Sequence, residues 1–284
     1  MEHPPTETRG RVAGRRAQVY APESWIDGRR ATLVMGLRRA GWLLVLLFLW
    51  QVVAWLGPWP SWLFPGPLLV ASALGDLVTS GALFPAIGRS LLRLGTGYGL
   101  SLLIGIPLGM LLGRNRWVEE ILGAPVLGLQ ALPSITWLPV ALLWFGLSEA
   151  AILFVVVVGS VLAVALSAES GVRNIDPSWV RAARTLGASG WRLYTTIYLP
   201  ASTPALLAGA KLGWSFAWRS LMAAELIFIS GGLGQLLELG RQLNDVSRIF
   251  AVMATITLIG LVVEKLVFGP LEEAVRRRFG TNVE

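Results

Sequence analysis

Cysteine is missing from the 284-residue chain. Its absence excludes disulfides and thiolate metal sites. Histidine occurs once, as His3 in a polar N-terminal stretch, which leaves nothing for a histidine metal site or a catalytic dyad. Lysine occurs only as Lys211 and Lys265, and neither stands in the G-x-x-x-x-G-K-[ST] context of a phosphate-binding loop. The G-x-S-x-G nucleophile turn and the H-E-x-x-H metal pair are absent too. The expectation is a chain without a catalytic centre, cofactor or metal. Charge is also scarce, at 14% of residues, which is too little to cover the surface of a soluble domain of this length.

What is present is apolar. Hydrophobic residues make up 54% of the chain, the mean hydropathy is +0.63, and 13 tryptophans add the residue that favours lipid–water interfaces. A hydrocarbon core about 30 Å thick needs roughly 20 apolar residues of helix. Segments near that length recur at about 40–57, 90–113, 121–145, 150–168, 205–230 and 248–269. The third is interrupted by Pro125, Pro133 and Pro139, and Pro107 predicts a kink in the second. Residues 1–39 carry eight arginines with little apolar periodicity and read as a disordered tail; 280–284 form a short C-terminal tail. The length of the charged region and GPWPSW after the first apolar run argue against the competing view, a cleaved signal peptide.

Charge orients the spans. With the N-terminus inside and six crossings, every basic residue except Arg89, Arg93, Arg219, Arg241 and Arg248 falls on the inner side, so N-in, C-in follows. Trp55, Trp59 and Trp62 mark the outer edge of the first span and Trp117 the inner edge of the second. The basic excess is thus explained by the membrane rather than by nucleic acid. The second span carries Gly95-x-x-x-Gly99 and Gly105-x-x-x-Gly109-x-x-x-Gly113, small-residue rows where another helix can approach closely, within one subunit or across a homodimer.

The loop 169–204 is too polar to cross. Asp176 and Pro177 are a helix start, WVRAARTL a short helix, and Gly187 its stop. Ser189 starts a second helix, GWRLYTTIYL, and Pro200 and Pro204 break the chain before the fifth span. Composition alone leaves two readings of this insert: a docking element for another protein, or an amphipathic pair lying on anionic lipid. Ala182-Ala183, then Gly187, then Ile197-x-Leu199-Pro200 resembles the signature loop of permease subunits of bacterial ATP-binding cassette importers. In that family a Glu usually precedes the Ala pair; here Arg181 stands there. LPSITWLPVALLWFGLSE (132–149), GAKLGWSFAW (209–218), AAEL (223–226), GGLGQLL (231–237), PGP (65–67) and SLLRLGTGYG (90–99) are similar to the nitrate/sulfonate/taurine branch. The resemblance covers roughly residues 60–279.

The resemblance implies an all-α polytopic membrane protein of the type I importer permease fold, in the inner membrane. It implies import of a small anion such as nitrate, a sulfonate or taurine, powered by ATP hydrolysis in separate cytosolic subunits. It further implies a solute-binding protein, a second copy of the chain as partner, and ATPase docking through Arg181, Ala182, Ala183, Arg184, Thr185, Leu186, Gly187 and Ala188. The alternative from another class is an ion-gradient-driven secondary transporter, which should have paired broken helices and a coupling carboxylate; only one broken span is visible. From the residues themselves, charges inside a span are costly, so Arg219 and Glu225 stand out, as pathway groups or as an ion pair. Trp218 shares a helical stripe with Lys211 and Glu225. Ser134 and Trp137, with Trp144, are the pathway candidates in the broken third span, where Pro133 and Pro139 free backbone carbonyls that lipid would not tolerate.

Overall fold

The structure is a computed structural model and describes residues 24–279. The first part of the expected tail, 1–23, and the C-terminal 280–284 lie outside the described residues. Every regular element among the described residues is helical. The helix α1 (Ser24–Leu56) begins inside the stretch expected to be a disordered tail; its apolar part is Ala40–Leu56.

From residue 54 onward the order is α2 (Pro67–Thr79), α3 (Leu83–Arg114), α4 (Arg116–Gln130), α5 (Leu138–Phe145) and α6 (Glu149–Arg173). There follow α7 (Pro177–Thr185), α8 (Gly190–Leu193), α9 (Leu199–Ile227), α10 (Leu233–Gln242), α11 (Val246–Val263) and α12 (Gly269–Phe279). Length and composition make α3, α6 and the continuous Val246–Phe279 run able to cross a membrane. The helix α4 and Ser134–Phe145, which meet at 101°, together have the length and composition of one further broken span or of a re-entrant loop. Six spans are expected from the sequence; Ala40–Leu56 is helical but shorter, and α9 is helical but carries Lys211, Arg219 and Glu225.

Proline chemistry explains both a confirmed and an overturned expectation. The third segment does break. Pro133 disfavours a helical Leu132 before it, a single 3-10 turn (Ser134–Trp137) follows, and Pro139 sits in the first turn of α5, where no N–H is required. Pro200 and Pro204, by contrast, do not break the chain. The helix continues from Gly190 to Ile227 because the Tyr194–Tyr198 turn widens to π geometry, with the Leu199 N–H reaching the Tyr194 carbonyl. Glu264–Phe268 repeats the device just before Pro270. Pro107 likewise lies inside α3 without ending it.

The helix α6 is the centre. Its Val161, Ala165 and Glu169 carbonyls lie against Gly105, Gly109 and Gly113 of α3, so the two helices meet in a matched four-residue register. Ser101 and Ser160 bridge them at 2.7 Å. On its other side α6 meets α9, with Gly159 against Ser220, Gly209 against Ser167 and Gly213 against Val164. The Tyr98 hydroxyl closes the triangle by donating to the Ala210 carbonyl at 2.8 Å. Gly95 and Gly99 have open space around them and take no part in this packing.

Candidate functional site

Three features stand out along this triangle. At the end of α6 that contains Arg173, Asp176 accepts the Ser178 N–H at 2.7 Å and starts α7, with Pro177 in the first turn. That bond, aided by Arg181, holds the Asp176 carboxyl below its ordinary range. Gly187, at φ 85°, ends the helix in a Schellman arrangement: the Ala188 N–H reaches the Ala183 carbonyl and the Gly187 N–H reaches that of Arg184, both at 2.9 Å. Ser189 stands before α8 as expected, but its side chain makes no cap bond.

The elbow has a buried face and an exposed one. Ala183 is buried with Val172 of α6 and with Leu193 and Tyr198, and Met110 of α3, Val180 and Ala188 pack at the edge. Arg181, Ala182, Arg184, Thr185, Leu186 and Gly187 are exposed. Trp179, Ala182 and Leu186 are spaced three and four apart, so they form one outward stripe. Leu186 is 87% and Trp179 56% exposed. Sequence reasoning missed Trp179; its spacing from Ala182 was the available signal.

The second feature is a cavity of about 300 Å³ between the broken span, α6 and α9, lined by Gln130, Ser134, Trp137, Gly159, Phe216 and Arg219 among others. Three of the predicted pathway residues, Ser134, Trp137 and Arg219, therefore meet here. Arg219 donates through Nε to the Ser215 carbonyl at 3.0 Å, and its guanidinium lies 4.7 Å from the Phe216 ring centre. Among the described residues no carboxylate pairs with it. Gln130 Oε1 is buried without a hydrogen-bond partner. Trp218 does not line the cavity: it stacks on Trp214 at 6.3 Å and packs on the core. Trp144 packs with Phe145 and Phe154.

Glu225 is elsewhere, and it is not the partner of Arg219. Six residues of α9 turn its side chain about 120° away. It is fully buried at the opposite end of the bundle from the elbow, where Arg93 Nη1 donates to Glu225 Oε1 at 2.8 Å. Arg93 also grips Glu149 with two bonds of 2.6 and 2.5 Å and donates to the Ser230 carbonyl at 2.6 Å. Ser90 donates to Glu225 Oε2 at 2.7 Å and accepts the Leu233 N–H, while the Gly234 N–H also reaches Glu225 Oε2 at 3.0 Å. The cluster ties α3, α6 and α9 to the start of α10. It accounts for the GGLG stretch: a Cβ on Gly232 would strike the Glu225 carboxylate, and one on Gly234 would strike the Glu225 side chain. Arg93 is the residue the sequence analysis passed over, although a charge inside an apolar run was a signal. Lys211, midway along α9, pairs with Glu264 and Glu272 at 2.5 and 2.8 Å.

Comparison with known proteins converges on one family. The family described as binding-protein-dependent transport system inner membrane component matches residues 105–276. A putative aliphatic sulfonates transport permease of Bacillus subtilis is 27% identical over 82% of this chain and 86% of its own. The taurine transport system permease of Escherichia coli is 29% identical over 84% of this chain and 87% of its own. In fold, the chain is similar to a chain of the inward-facing MetNI methionine ABC transporter, with a TM-score of 0.60 and 19% identity over 69% of this chain and 97% of that one. Nothing in these relatives supports the ion-gradient-driven alternative. The chain therefore belongs to the inner membrane components of binding-protein-dependent transport systems, as a permease subunit of an ATP-binding cassette importer.

Proposed function

We propose that this permease takes its energy from a separate cytosolic ATPase that docks on α7, and that it passes a small organic anion, a sulfonate or taurine-like solute, delivered by a solute-binding protein. The observation that carries the reading is the outward stripe of Trp179, Ala182 and Leu186 on a helix whose other face is fixed to the bundle. An exposed apolar stripe bordered by Arg181 suits a partner cleft with apolar walls and acidic or carbonyl rims. Relatives of the chain include permeases of sulfonate and taurine systems, which supports the solute class, and its membership of the ABC importer permeases supports the motor partnership. Arg114, Arg116, Arg173 and the elbow arginines all sit at one end of the triangle, which supports that end facing the cytoplasm and the N-in, C-in orientation.

The elbow core explains how a push would travel. Val172, Met110 and Tyr198 attach α7 to α6, α3 and the start of α9. Nucleotide-driven closure of the motor would move α7, and the three helices at its base would tilt with it between two packings. A second copy of the chain completes the pathway. Arg219, exposed and without a carboxylate partner, would cost about 2.5–3.5 kcal/mol against lipid, so a water-filled path between two copies is the better surroundings.

Two results test this. Leu186→Glu is expected to leave the permease in the membrane at wild-type level while copurification of its ATPase falls by about tenfold or more, since a charge then enters an apolar contact. Unchanged copurification refutes docking on this stripe. Arg219→Gln is expected to cut uptake of the anion by about tenfold or more with normal assembly and ATPase docking. Full uptake by that variant removes Arg219 from the pathway.

A further inference from the structure

We propose that an anionic phospholipid of the elbow-side leaflet binds between the last turns of α3 and the α8 segment, its phosphate on Arg114 and Arg184 and an acyl chain in the apolar groove alongside. Two adjoining cavities carry the proposal. One, of about 440 Å³, has almost wholly apolar walls from Pro107, Met110 and Leu111 of α3 and Trp191, Tyr194 and Leu199 of the helix entering α9. The other, of about 380 Å³, is bounded by Arg114, Arg184 and the turn Gly187–Gly190. They approach each other along α3, where Leu111 and Arg114 are one turn apart, and Arg114 lies over the Tyr198 ring, which in turn adjoins Tyr194 of the groove.

Charge decides what fits. Arg116 pairs with Glu120, and Arg173 with Glu119 and Glu169, so neighbouring arginines at this end are neutralised. Arg114, Arg184 and Arg192 have no carboxylate partner among the described residues. Arg114 instead lies 5.1 Å over the Tyr198 ring, which holds it beside the groove. Trp191, 80% exposed and stacked on Tyr194, places an aromatic pair at the level where the helix leaves the apolar region. A groove that is apolar along its length and basic at one end matches a single anionic amphiphile, and basic pockets beside spans recognise anionic head groups in this way. A free phosphate would leave the groove empty, and a neutral lipid would leave the arginines unmatched.

The test uses the purified full-length permease with its ATPase partner, exchanged into phosphatidylglycerol or phosphatidylcholine, with retained lipid counted by native mass spectrometry. Wild type is expected to retain phosphatidylglycerol about fivefold or more over phosphatidylcholine, near 1 kcal/mol. Arg114→Gln combined with Arg184→Gln is expected to erase the preference. Leu111→Trp, which fills the groove and leaves both arginines in place, is expected to lower retention of both lipids. Equal retention of the two lipids by wild type, or an unchanged preference in the double variant, overturns the proposal. So does displacement of phosphatidylglycerol by millimolar inorganic phosphate, which would mark an anion site without a lipid.

Discussion

Glu225→Ala is expected to cost about 3–5 kcal/mol and to leave little folded permease. The carboxylate is fully buried and accepts from Arg93, Ser90 and the Gly234 N–H. Removing it leaves Arg93 Nη1, the Ser90 hydroxyl and the Gly234 N–H without their acceptor in a buried site, although Arg93 keeps Glu149 and the Ser230 carbonyl. Arg93→Met together with Glu225→Leu is expected to recover much of the loss. An ion pair replaced by apolar groups of similar volume costs far less than a broken one, and Glu149, mostly exposed, is free to return to water. Ser90→Ala removes the donor to Glu225 Oε2 and the acceptor of the Leu233 N–H, keeps the ion pair, and should cost about 1–3 kcal/mol. Thermal unfolding followed by size-exclusion of the detergent-solubilised protein ranks the three. If Glu225→Ala shifts the midpoint no more than Ser90→Ala, the cluster is not holding the outer end together.

That cluster also marks where sequence reading stops. Asp176, Pro177 and Gly187 announce the elbow because a cap, a first-turn proline and a left-handed stop act within a few residues of themselves. The apolar runs announce the spans for the same reason. Arg93 and Glu225 are 132 positions apart, and nothing local says that one buried charge answers the other. The likeliest local partner for Glu225 by proximity in sequence was Arg219, and helix geometry separates those two by a third of a turn. Pro200 misled differently. A proline forbids one hydrogen bond, and the sequence does not say whether the helix ends or widens; the Tyr194–Tyr198 π turn chooses the second, which keeps the elbow mechanically continuous with α9.

The continuity matters for how force would pass through the permease. A flexible break at Pro200 would let α7 move without its bundle. A helix continuous from Gly190 to Ile227 instead links the elbow core at Tyr198 to Arg219 in the cavity and Glu225 at the far end. Displacement at α7 would then reach the cavity wall through one rod. The ion cluster would fix that rod at its other end, so tilt rather than translation is the motion the packing favours.

The tilt must be accommodated where α3 and α6 touch, and there a single methyl group is decisive. Gly109→Ala is expected to destabilise the permease by about 3 kcal/mol, the upper end for overpacking. The added Cβ falls inside the shell of the Ala165 carbonyl oxygen, and a backbone oxygen cannot rotate aside as a side chain can. Relief requires the two helices to separate, which stretches the Ser101–Ser160 bond and loosens the Gly105 and Gly113 contacts on either side. Gly99→Ala supplies the control. It lies on the same helix and in the same kind of four-residue glycine row, but has nothing within 4 Å, so it is expected to be neutral or to stabilise by up to about 1 kcal/mol through helix propensity. The sequence presents the two rows as equivalent; the structure assigns close packing to one of them. Unfolding midpoints of the two variants in the same detergent decide the matter. Equal damage from both would mean that another helix, from a second copy, seats on Gly99, whereas equal tolerance would mean that α3 and α6 do not pack through their backbones.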